Sequence, residues 1–91
     1  MRYISKTSFD NTFKKLSPEF KENVKQAIQA LSIFFESGQK TPGLGLKHLR
    51  RDFWEIRTGL KIRILFKFSS DLIEFIIVGT HDDIKRYLKS L

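Results

Sequence analysis

The sequence predicts an α+β domain. An N-terminal strand and a two-helix hairpin pack on one face of a largely antiparallel sheet, a three-strand meander, and a short C-terminal helix closes the chain. Three observations carry this reading. Apolar residues recur at helical spacing from Phe9 to Phe35, alternate at period two between Phe53 and Phe68, and return to helical spacing after His81.

Arg2-Tyr3-Ile4 is a short β-prone start, expected as an edge strand. Ser8 stands where it can cap a helix that puts Phe9, Phe13 and Leu16 on one face. Ser17-Pro18-Glu19 opens a second helix: serine as cap, proline in the first turn, an acid near the positive end of the dipole. Phe20, Val24, Ala27, Ile28, Leu31, Phe34 and Phe35 keep its period until Gly38 stops it, and these side chains belong to the core. Gly38 to Gly45 is a loop by composition. It lacks the spacing and the Gly-Lys-Ser/Thr ending of a phosphate loop, so it serves to bring the chain to the sheet, with Lys47 and His48 at its margin.

Alternation then assigns faces. In the strand from Lys61 to Phe68, Ile62, Ile64, Phe66 and Phe68 point one way and Lys61, Arg63, Leu65 and Lys67 the other. From Phe53 to Arg57, Trp54 and Ile56 oppose Glu55 and Arg57. Matching apolar faces pairs Ile56 with Ile62 and Trp54 with Ile64 across a Thr58-Gly59-Leu60 loop. Glu55 then lies opposite Arg63, and Arg57 opposite Lys61. A second three-residue turn, Ser69-Ser70-Asp71, pairs Phe68 with Leu72, Arg63 with Ile77 and Lys61 with Gly79. By alternation Ile73, Phe75, Ile77, Gly79 and His81 share the face of Arg57 and Arg63, with His81 roughly 7 Å beyond Gly79. Asp82 caps a last helix whose stripe is Ile84, Tyr87, Leu88 and Leu91, with Tyr87 placed near the helix start and His81.

The 91 residues are read as a single domain, 1–91, with a 41% apolar fraction and nine phenylalanines that suit a packed globule. Seventeen Lys+Arg against ten Asp+Glu give +7, a balance that favours a polyanionic partner. There is no cysteine, which excludes disulfides, thiol catalysis and Cys-based zinc sites and gives a cytoplasmic protein as the expectation. His48 and His81 are too far apart for a helical ligand pair, so neither a metal nor a cofactor is expected. No apolar leader or membrane span is present, and no membrane partner is expected.

Cutting RNA without a metal needs a base for the 2′-hydroxyl proton, cations for the charge building on the phosphate, and an acid for the leaving 5′-oxygen. Arginine suits the second task through its two-donor grip, and histidine the first or third. Arg57, Arg63 and His81 are therefore the candidate catalytic set, with Tyr87 as a further group, either acid or stacking surface. Lys47, His48, Arg50 and Arg51 read as an electrostatic rim for the phosphate backbone. The plainer alternatives stay open: arginines paired with Glu55 in solvent, a turn histidine, a packing tyrosine.

Lys47-His48-Leu49, Phe53-Trp54-Glu55-Ile56-Arg57, Arg63-Ile64-Leu65-Phe66 and Val78-Gly79-Thr80-His81, in this order and spacing, resemble the RelE/ParE superfamily of toxins from type II toxin–antitoxin systems. The resemblance spans nearly the whole chain and implies a RelE-like α+β fold. It also implies a growth inhibitor that, like RelE-type members, cuts mRNA on the ribosome and is held by a cognate antitoxin, expected to be acidic and encoded nearby. Carried over, Arg63 matches the third-strand arginine of the transition state and Arg57 a basic position on the preceding strand. His81 matches the histidine of YafQ-like members, and Tyr87 falls where RelE has its tyrosine. With Lys61 and Lys85 added to the basic rim, the expected RNA-contacting set is Lys47, His48, Arg50, Arg51, Lys61 and Lys85. Glu55 replaces a RelE lysine, Lys85 replaces an aromatic of the YafQ-like pattern, and the YoeB-like glutamate base has no counterpart near Leu44-Gly45. The same resemblance leaves two other classes: a ParE-like inhibitor of DNA gyrase acting by binding, and a non-toxic basic interaction domain.

Overall fold

The computed structural model describes residues 1–39 and 43–91; the middle of the expected Gly38–Gly45 loop lies outside them. The element order is β1 (Arg2–Ser5), α1 (Thr7–Lys14), α2 (Pro18–Ser37), β2 (Lys47–Arg50), β3 (Phe53–Thr58), β4 (Ile62–Ser69), β5 (Leu72–Gly79) and α3 (His81–Lys89). The sheet runs β1-β5-β4-β3-β2, with β1 parallel to β5 and every other pair antiparallel. The α+β expectation holds, including β1 as an edge strand. The meander has one strand more than expected, because Lys47–Arg50 pairs with β3.

The helical hairpin forms for the reasons its sequence offers. The Ser17 hydroxyl accepts from the Phe20 N–H, Pro18 opens α2, and Gly38 closes it in the left-handed region at φ 77°. Phe9 from α1 and Val24, Ala27 and Leu31 from α2 meet Ile56, Ile62, Ile64, Phe66, Ile73, Phe75 and Val78 of the sheet. Ser8 is not the cap of α1, which starts after Lys6 without a side-chain cap. Its hydroxyl instead donates to the Ile76 carbonyl at 2.6 Å, while the Thr12 hydroxyl accepts from the Val78 N–H at 3.1 Å. Where β1 ends, α1 side chains thus complete the exposed backbone edge of β5.

Both hairpin registers differ from expectation. Ile56 pairs with Ile64, Trp54 with Phe66 and Arg57 with Arg63, not with Ile62, Ile64 and Lys61. The loop is Gly59-Leu60-Lys61, with Gly59 at φ 79°. A shift of two residues leaves every side chain on its assigned face, so alternation could not exclude it. The second turn is shorter than expected. Ser69 pairs with Leu72 across Ser70-Asp71, with Ser70 at φ 53°, the left-handed first position of a two-residue connection.

β5 then carries a bulge. Phe66 opposes Phe75 but Leu65 opposes Ile77, so Ile76 is an extra residue. Before it, Ile73 and Phe75 face α1 and α2, not the arginines; after it, Ile77 and Gly79 share the face of Leu65 and Arg63. That second face is not open and polar throughout. Ile84 of α3, flanked by Tyr87 and Leu88, seals a smaller core of Phe53, Leu65, Ile76 and Ile77. Leu91 lies past the end of the helix and is exposed rather than part of its stripe.

Phe66 is fully buried and Leu60 is 96% exposed at the β3–β4 loop tip. Phe66→Ala should lower unfolding stability by about 3–5 kcal/mol in urea melts, whereas Leu60→Ala should change it by less than about 0.5 kcal/mol.

Candidate active site

The register places three residues in one row across the sheet: Arg57 of β3, Arg63 of β4 directly opposite, and Gly79 of β5 opposite Arg63 on its other side. His81, two residues past Gly79, is the first residue of α3 and is exposed. In the adjoining row Lys47 of β2 opposes Glu55 of β3, which opposes Leu65. From His81, α3 runs back over the sheet to β2, where the Arg50 guanidinium donates to the Leu88 carbonyl. The helix therefore covers the Leu65–Ile77 part of the face and stops short of the Arg57–Arg63 row, where Arg57 is exposed and Arg63 is mostly enclosed.

Two directly opposed arginines repel, since like charges facing across strands destabilise a pair. Glu55 answers them. Its carboxylate Oε2 lies 3.6 Å from Arg63 Nη1, with the Glu55 and Arg63 side chains only 7% and 17% exposed. The expected Glu55–Arg63 partnership is real but diagonal, not direct. At 3.6 Å it is a contact ion pair rather than a hydrogen bond. Arg63 Nε is buried with no hydrogen-bond partner among the described residues.

Arg57 is seated from below. Its N–H donates to the Leu44 carbonyl at 2.8 Å, and its stem lies on Gly45. A Cβ on Gly45 would come within 2.9 Å of Arg57 Cγ, and Gly45 has φ 62°, so only glycine fits on both counts.

The start of α3 is set by a capping box that the expectation of an Asp82 cap missed. Thr80 is the cap: its hydroxyl accepts from the Asp83 N–H at 3.2 Å, and the Asp83 carboxylate accepts from the Thr80 N–H at 2.9 Å. The Thr-x-x-Asp spacing from Thr80 to Asp83 is the sequence signal that would have found it. Gly79 makes room, because a Cβ there would sit 2.6 Å from Asp83 Oδ2. The Thr80 backbone N–H is the largest cause holding the Asp83 carboxyl below its ordinary value. Partial burial opposes this, and the Thr80 hydroxyl and the Arg86 guanidinium add to it.

The remaining candidates are dispersed. Tyr87 is the seventh residue of α3, about 9 Å along the axis from His81, and not near the helix start as expected. It lines a different cleft with Thr12, Ile77, Val78, Asp83, Arg86 and Ser90. His48 pairs with Trp54 on the α1–α2 side of the sheet, where the two rings lie 4.7 Å apart, and its Nε2 bonds the Arg51 carbonyl at 2.6 Å. Arg51 and Lys61 flank opposite ends of β3, roughly 20 Å apart, and Lys85 is exposed on α3. Among the described residues, no three His, Asp or Glu gather where they could hold a metal ion, and no helix is long and apolar enough to cross a membrane.

Thr80→Ala should cost about 1 kcal/mol and fray α3. Because the folded Asp83 pKa is depressed, its contribution is present above the ordinary value of 3.8 and lost as pH falls through the lower folded value. Helix loss followed by circular dichroism should therefore begin below about pH 4, and Asp83→Asn should remove that part of the acid dependence.

No protein-family model matches the chain, and no curated protein matches its sequence. Solved structures do. A chain of the RelB–RelE antitoxin–toxin complex from Methanococcus jannaschii aligns over 92% of this chain and 96% of its own, at TM-score 0.66 and 19% identity. YafQ from E. coli aligns over 92% and 98%, at TM-score 0.65 and 13% identity. A YoeB/ParE toxin from Agrobacterium tumefaciens aligns over 89% and 99%, at TM-score 0.67 and 15% identity. At these identities the likeness is one of architecture: the chain has the fold of the RelE-, YafQ- and YoeB/ParE-type toxins.

Proposed function

We propose that this chain is the toxin of a type II toxin–antitoxin pair and an endoribonuclease that cuts mRNA on the ribosome, in the cytoplasm. The observation that carries the reading is the Arg57–Arg63 row, with one buried carboxylate as counter-ion, at the end of the sheet beside His81. Two opposed arginines cost stability, and a phosphate is the ligand that turns the cost into binding. Fold likeness to toxins supports the class but does not choose the reaction.

In this reading the RNA backbone crosses the end of the sheet beyond α3, over the exposed Arg57. Arg63 and Arg57 grip the scissile phosphate and stabilise the charge that builds as the 2′-oxygen attacks phosphorus and the 5′-oxygen leaves. His81 carries one of the two proton transfers, the task to which histidine is suited. Lys47, and Lys61 at the same end of the sheet, hold flanking phosphates. Tyr87, turned into another cleft, has a packing role and no part in the reaction. With arginines supplying the positive charge, the reaction needs no metal. An acidic antitoxin would neutralise the +7 chain and cover this end of the sheet.

Expression of the chain should halt translation and leave transcripts with 2′,3′-cyclic phosphate ends, unaffected by EDTA in purified assays. His81→Ala should lower kcat by about 10²–10⁴-fold, and Arg63→Ala by about 10²–10³-fold. Circular dichroism should accompany the latter, which leaves Glu55 buried without its cation. Replication arrest with DNA breaks and intact transcripts would establish the gyrase-inhibitor class instead. Cleavage that survives both substitutions would refute the site.

A further inference from the structure

Glu55 is an unexpected residue in an anion site. It is 5% exposed as a residue, lies opposite Lys47, and takes its place diagonally beside Arg63. Simple electrostatics makes it an obstacle, since its charge offsets the cations that would hold a phosphate. The atoms involved give a different reading. Glu55 meets Arg63 at Nη1, the guanidinium corner nearest its own stem. The opposite edge, Nε with Nη2, has two parallel N–H bonds that match two oxygens of one phosphate. Nε is buried and donates to no acceptor among the described residues. A buried donor left without a partner is costly unless an acceptor arrives from outside.

We propose that Glu55 is a positioning residue: it pins Arg63 by Nη1, screens Arg63 from Arg57, and so keeps the Nε–Nη2 edge without a partner among the described residues, for a phosphodiester to take up on binding. This rests on the reading of the site as one that holds RNA phosphate. Without the carboxylate, Arg63 faces Arg57 with no counter-charge and turns away from it, and Lys47, opposite position 55, adds to the positive charge. The site becomes more positive but loses its aim.

The test uses the full chain, ¹⁵N-labelled, with a 2′-O-methyl RNA trinucleotide that carries phosphodiesters but cannot be cut. In the native protein the Arg63 Nε–H resonance, assigned by its disappearance in Arg63→Lys, should shift on titration. In Glu55→Gln the shift should shrink at least threefold. With cleavable RNA, kcat should fall at least tenfold while KM stays level or drops, a split that mere loss of an opposing charge does not give. Glu55→Asp, which keeps the carboxylate on a shorter stem, should be intermediate in both measurements and serves if Glu55→Gln does not fold. The proposal is overturned if the native Nε–H ignores the trinucleotide, or if Glu55→Gln or Glu55→Asp retains both the native shift and the native kcat. If the native protein cuts nothing yet its Nε–H shift depends on Glu55, the nuclease reading falls and the positioning role stands.

Discussion

The bulge at Ile76 is the constraint on which the rest of the structure depends. Before it Ile73 and Phe75 face the helical hairpin; after it the alternation has turned over, so Val78 faces the hairpin while Ile77 packs under α3. Past the end of β1, beside the bulge, the outer edge of β5 has no strand partner. The Ser8 and Thr12 hydroxyls of α1 satisfy backbone groups there, tying the first helix to the last strand. The same turn-over sets Gly79 beside Arg63, and Gly79 admits the Asp83–Thr80 cap. His81 starts α3 at the arginine row for that reason. Without the extra residue Arg63 would face Val78 rather than Gly79, and the residues leading to His81 would swap faces of the sheet.

Around this frame the molecule accepts local costs. Arg57 and Arg63 face each other, and Glu55 is buried to balance them. Such a pair is weak evidence for stability, because desolvation consumes most of its Coulombic gain. Leu65, next in line on the same face, is fully buried under α3, so an apolar solution was within reach one row away. Charge concentrated where apolar packing would have served supports the proposal that this row is a site.

Much of the fold was legible because hydrophobic period is a direct consequence of burial. Faces of β3 and β4, the Ser17–Pro18 start of α2 and its Gly38 stop all follow from side-chain type and spacing. Register was not legible, since a shift of two residues preserves every face, and Gly59 falls inside both candidate loops. Ser70 adopts a left-handed φ without being glycine, so composition did not mark the short turn. The bulge leaves no local signal at all in Leu72–Gly79, an apolar run whose alternation is already blurred. Of the candidate site, Arg57, Arg63 and His81 were named from alternation and family resemblance, and the register sets Arg57 opposite Arg63. The seat under Arg57 at Gly45 and the cap at Asp83 required the fold, because each depends on a contact with a particular neighbour. Glu55 was visible as an oddity, and only its 3.6 Å approach to one corner of Arg63 gave it a role.

The most direct test of the account is a crystal structure with a 2′-O-methyl RNA oligonucleotide that cannot be cut. The account predicts a phosphate held by Arg57 and by the Nε–Nη2 edge of Arg63, with the His81 ring within about 3 Å of the 2′- or 5′-oxygen. RNA lying along β1, or over the Trp54 side of the sheet with the arginine row empty, would contradict it.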